Sequence, residues 1–139
     1  MNELIKLIKQ ARFIWIAGNG GSAATAEHFA TDLVKKGYPA IALSSNTSVI
    51  TMIANDYGYD QIFSKQLEVY ATEEDLLITI SCSGTSKNII KAIQFIQNIV
   101  DDPICLREVY SFETFGKETD YGKLEDKHLK FAHEVAKKL

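Results

Sequence analysis

Two short stretches carry residues suited to holding an anion. GNGGS (residues 18–22) and SCSGTS (residues 81–86) combine glycines, hydroxyls and small polar side chains, contain no cation, and each runs straight into a helical pattern. Backbone N–H groups at a helix start carry positive partial charge, and serine and threonine hydroxyls add donors without a net cation, so a phosphate suits both. Tight turns followed by ordinary helix caps would use the same residues, and spacing alone leaves both readings standing. No lysine follows the glycines as in a Walker loop, and GxGxxG is not completed, so a nucleotide is disfavoured.

A second set could hold a metal. His28 and Asp32 are four apart, one turn above each other on a helix face, and Glu125 and His133 are eight apart, again on one face. Two histidines and two carboxylates make an acceptable donor set for zinc or another divalent ion. From spacing alone, two solvated helix faces carrying incidental histidines are the simpler account. His128, three after Glu125, reads as a helix-surface histidine. Cys82 and Cys105 lie far apart without a CxxC partner, so neither a disulfide framework nor a cysteine zinc site is indicated.

These residues need elements to position them. FIWIAG (residues 13–18) is a continuous apolar run, the mark of a strand buried on both faces, and Ala23, Ala26, Phe29, Ala30 and Leu33 then recur at helical spacing until Gly37 and Pro39 stop the helix. AIALS reads as the next buried strand. SVITMIANDYG predicts a short helix capped by Ser48 or its neighbour, IFSKQLEVYA another helix, and EDLLITISCSG a third strand. SKNIIKAIQFIQNIV follows as a helix with Ile89, Ile90, Ile93, Ile96 and Ile99 on its apolar side. DPICLREVYSF suggests a further strand, placed at an edge by Arg107 and Glu108, and KLEDKHLKFAHEVAKKL is helical throughout. Strand, turn and helix thus alternate, which predicts an α/β fold with a doubly wound parallel sheet flanked by helices. In such sheets ligands bind beyond the carboxyl ends of the strands, where both hydroxyl-bearing loops fall.

Composition narrows the function. The 139 residues, 46% hydrophobic and 24% charged, suit a single domain spanning residues 1–139. A net charge of -3 with scattered lysines provides no basic field for nucleic acid. No apolar run reaches the length of a bilayer span, and MNELIKLIKQ reads as an amphipathic helix rather than a signal peptide, so the expectation is a cytoplasmic protein with no membrane partner.

Taken together, GNGGSAATAEHFATDL, IANDYGYDQIFSKQL, ISCSGTSKNIIKAI and EDKHLKFAH resemble the sugar isomerase (SIS) domain and, within it, the phosphoheptose isomerases. The resemblance implies a flavodoxin-like sheet and a small-molecule sugar phosphate as substrate. Ser81, Ser83, Thr85 and Ser86 would surround the phosphate, while Asn19, Gly20, Ser22, Asp56 and Glu125 would face the sugar. It further implies one Zn2+ or similar divalent ion per active site on His28, Asp32, Glu125 and His133, with Asp32 as base and His133 as acid. The implied reaction is ketose–aldose isomerisation, from sedoheptulose 7-phosphate to D-glycero-D-manno-heptose 7-phosphate, through a metal-assisted enediol. Asp32 stands where the family usually has glutamate, and Glu125 where it has glutamine. The interval between the helix after the third strand and the last helix, DDPICLREVYSFETFGKETDYG, is also short, as if one βα unit were abridged to leave about four strands. A sheet edge left open in this way could be covered by a second subunit, and the family's usual homotetramer with shared sites is expected. Two alternatives accompany this reading: a phosphosugar-binding SIS module without turnover, and a SIS protein that associates with a replication initiator.

Overall fold

The computed structural model describes residues 1–98, 108–111 and 120–139. Its centre is a four-stranded parallel sheet in the order β2-β1-β3-β4, formed by β1 (Ile14–Gly18), β2 (Ala40–Ala42), β3 (Leu76–Ile80) and β4 (Glu108–Ser111). β1 pairs with both β2 and β3, Ile14 lying opposite Ala40 on one side and Leu76 on the other. Every residue of β1 and of β3 is buried. Both strands are flanked by neighbours and covered on both faces, so their apolar runs are continuous rather than alternating.

Successive side chains of a strand point to opposite faces, and this divides the core in two. Ile14, Ile16, Leu76, Ile78 and Ile80 meet α1 (Asn2–Gln10), α2 (Gly21–Lys35) and α6 (Tyr121–Lys138) through Leu4, Ile8, Phe29, Leu33, Ala132 and Val135. Trp15, Ala17 and Leu77 meet α3 (Thr47–Tyr57), α4 (Ser64–Tyr70) and α5 (Lys87–Asn98) through Ile53, Leu67, Ile89, Ala92 and Ile96. Phe29 and Leu33 are wholly buried, a burial that contributes about 1.5–3 kcal/mol for each such side chain. No helix among the described residues is long and apolar enough to cross a membrane.

Three expectations change. AIALS forms an edge strand rather than a buried one, with Ile41 41% exposed, because β2 has a single neighbour in the sheet. The α3 cap is Asn46, whose side chain accepts from the Val49 backbone N–H, instead of Ser48. His128 is fully buried. It lies four residues from both Leu124 and Ala132, and this spacing places it within the apolar stripe of α6. Among the described residues β4 lies at the sheet edge, as expected for the strand in DPICLREVYSF, whereas Cys105, Arg107 and Ile99 lie outside the described residues.

Candidate functional site

The sheet order locates the site. From β1 the chain passes to β2 on one side, and from β3 to β4 on the other, so the strand order reverses between β1 and β3. A crevice opens at such a switch point, beyond the carboxyl ends of the two strands. GNGGS and SCSGTS leave these strands side by side. Gly18 ends β1 where a Cβ would overlap the Ser22 carbonyl oxygen, so only glycine lets α2 start this close to the strand. Gly20 caps α2 at φ 56°, and Gly84 turns the second loop at φ 66°, both in the left-handed region that glycine occupies without penalty.

A cavity of about 200 Å³ lies between the loops, and Asn19, Ser22, Ser81, Ser83, Ser86 and Glu125 help to line it, with Ile80, Cys82 and Tyr121. The Ser81 hydroxyl accepts from Gly84 N–H at 3.1 Å, and that of Ser83 from Thr85 N–H at 3.2 Å. With its oxygen engaged by the backbone, each hydroxyl keeps its proton to donate. That suits an anion, which needs donors. Burial pushes the Cys82 thiol up; the nearby Glu125 carboxylate adds to this, and a contact with the Ser22 hydroxyl works against it. Cys82 is therefore a neutral thiol at neutral pH and no nucleophile.

Gly20 and Thr85 shape their loops without lining the cavity, and exposed Asp56 accepts from the Asn55 amide at 2.9 Å away from it. Glu125 does line it. A Cβ on Gly21 would overlap the Glu125 carboxylate, so that carboxylate lies against the first residue of α2. Negative charge is stabilised there by the partial positive charge of the helix start.

The metal-type residues meet further along the same helices. His28 Nε2 and His133 Nε2 are 2.8 Å apart, and Asp32 Oδ2 lies 3.7 Å from the first and 3.9 Å from the second. Gly21 faces Glu125 while Asp32 faces His133, so α2 and α6 run parallel. The three ligand atoms lie within 4.8 Å of one another, a group that could hold a metal ion. Two imidazole nitrogens and a carboxylate oxygen are donor types that zinc accepts, and here the two imidazole nitrogens stand at hydrogen-bond distance from each other. Glu125 is not in this group. Eight residues of helix separate it from His133 by about 12 Å along the axis, so one chain does not bring both to a single ion.

Sequence reasoning passed over Asn88 and Tyr59. Asn88 is 3% exposed and pairs with Asn19 through two amide hydrogen bonds of 2.8 Å, and Tyr59 reaches Asn19 at 3.2 Å. The available signal was Asn88 itself, a polar residue directly before Ile89 where the apolar face of α5 begins.

A family model described as SIS domain matches residues 2–99. The chain is 36% identical over 145 aligned residues to a phosphoheptose isomerase of Aliarcobacter butzleri, covering 94% of this chain and 77% of that protein. It is 48% identical over 97 residues to a phosphoheptose isomerase of Helicobacter pylori, an alignment that takes in 66% of this chain and only 50% of the relative's length. Among solved structures, phosphoheptose isomerase GmhA from Neisseria gonorrhoeae superposes with a TM-score of 0.83 at 28% identity, over 98% of this chain and 80% of that one.

Proposed function

The chain belongs to the SIS domain family, in its phosphoheptose isomerase branch, and we propose that it interconverts a ketose phosphate and its aldose, with sedoheptulose 7-phosphate as substrate. The observation that carries this is the pairing of a hydroxyl-lined cavity with a histidine–carboxylate group two turns along the same two parallel helices. One end of the pair is suited to grip a phosphate and the other to move protons.

In this reading Ser81, Ser83 and Ser86 anchor the phosphate, and Asn19 and Ser22 meet the sugar. Anchoring the remote end positions a flexible chain, so binding energy gained far from the reacting carbons reduces the barrier there. Asp32 takes the proton from the carbon beside the carbonyl and returns it to the neighbouring carbon. His133 exchanges a proton with the sugar oxygens. His28, Asp32 and His133 would hold a divalent ion such as zinc, which when bound polarises the carbonyl. The His28 and His133 side chains remain 52% and 42% exposed. An enediol needs shelter from water, and a second copy of the chain in a homo-oligomer is proposed to provide it.

The direct experiment is incubation of zinc-loaded protein with sedoheptulose 7-phosphate, with aldose formation followed over time. Formation of the heptose 7-phosphate is expected; bound substrate recovered as unchanged ketose would overturn the isomerase reading. A second experiment addresses the phosphate end. Ser83→Ala and Ser86→Ala are each expected to weaken sugar-phosphate binding about tenfold, the cost of one hydrogen bond to a charged group, with the fold retained. Calorimetry showing unchanged affinity in both variants would remove the phosphate assignment.

A further inference from the structure

The geometry points to Asn88 and Tyr59 as positioning residues that fix the Asn19 amide so that it offers the cavity one N–H donor and no acceptor. This deepens the sugar-phosphate reading and rests on it for the identity of the ligand.

The orientation follows from a single unambiguous donor. Ile89 N–H, one of the first N–H groups of α5, donates to Asn88 Oδ1 at 2.9 Å. A backbone N–H can only donate, so this atom of Asn88 is its oxygen and the other is its nitrogen. That nitrogen donates to Asn19 Oδ1 at 2.8 Å, and Asn19 Nδ2 donates back to Asn88 Oδ1 at 2.8 Å. The Tyr59 hydroxyl donates to the same Asn19 Oδ1 at 3.2 Å. A carbonyl oxygen has two lone pairs, and both are now engaged. Asn19 Nδ2 has two protons, of which one is engaged. The remaining N–H is all that the Asn19 side-chain amide has left for the cavity it lines.

The elements carrying this arrangement are tied to each other. Tyr59 sits on the turn Tyr59–Gln61, and the neighbouring Asp60 carboxylate pairs with Lys91 of α5 at 2.6 Å. The turn that bears Tyr59 is thereby fastened to the helix that bears Asn88. A fixed donor selects a ligand oxygen with a free lone pair, such as a carbonyl, a hydroxyl or an enediolate. An ammonium, with donors only, is refused at that position.

Two readouts test this. In ligand-free, 15N-labelled protein, the Asn19 and Asn88 side-chain amide resonances should exchange with water more slowly than that of exposed Asn55, and Tyr59→Phe should shift the Asn19 pair. In turnover of sedoheptulose 7-phosphate, KM should rise about threefold in Tyr59→Phe and about tenfold in Asn88→Ala, with kcat changing less than KM. An Asn19 pair unmoved by Tyr59→Phe, or an unchanged KM in folded variants, would overturn the assignment. Should Asn88→Ala fail to fold, Tyr59→Phe decides alone, because Tyr59 is 59% exposed and loses only its hydroxyl. A wild-type protein inactive on this sugar would count against the isomerase reading, while the amide resonances still decide the orientation of Asn19.

Discussion

Asp32→Asn is expected to lower isomerisation of sedoheptulose 7-phosphate by about 10²–10⁴-fold, the usual worth of a positioned base, while sugar-phosphate affinity stays within about twofold. The amide keeps the shape of the carboxylate but cannot accept the proton. Affinity should survive because Asp32 lies ten residues beyond Ser22 on α2, about 15 Å along its axis, and is not among the residues that line the cavity. Asp32 also faces both histidines, so metal content is to be measured on the same preparation; equal metal with lost turnover identifies the base. Asp32→Glu restores the side chain usual in phosphoheptose isomerases and is expected to retain turnover. If wild type and both variants bind ketose phosphates yet convert none, the chain is better described as a phosphosugar-binding module.

The sequence made the fold legible because the two central strands are buried on both faces. Their composition is then nearly pure apolar, and the glycines that follow mark where each loop begins. β2 was harder to place, since a three-residue edge strand with a partly exposed Ile41 differs little from a buried one in composition. Half of the site was equally plain: the i, i+4 spacing of His28 and Asp32 needs only local geometry to bring the two side chains together. Contacts across elements have no such signature. Asn19 and Asn88 are 69 residues apart, and nothing in either neighbourhood announces an amide pair. Glu125 shows the opposite limit. Periodicity gives the angular position of a residue around a helix but says little about distance along it, and that axial distance places Glu125 at the cavity instead of beside His133.

The same axial argument makes the two carboxylates and the two histidines separable by experiment. His28→Ala removes one of three converging donors, and zinc affinity is expected to fall by more than about a hundredfold, since partners that merely orient a ligand are worth 10–100-fold. Glu125→Ala is expected to leave zinc content at the wild-type level, because within one chain its carboxylate lies at the start of α2, remote from the three ligand atoms. It should instead strengthen binding of a sugar phosphate, as a negative charge is removed from the cavity that receives the anion. Elemental analysis of protein purified without chelator, together with zinc titration by calorimetry, checks both variants against the wild type. Equal zinc in wild type and His28→Ala would refute the metal assignment on this helix pair. Loss of zinc in Glu125→Ala, with the fold intact, would mean that Glu125 from a second copy completes the ligand set, and the catalytic unit would then have to be an oligomer.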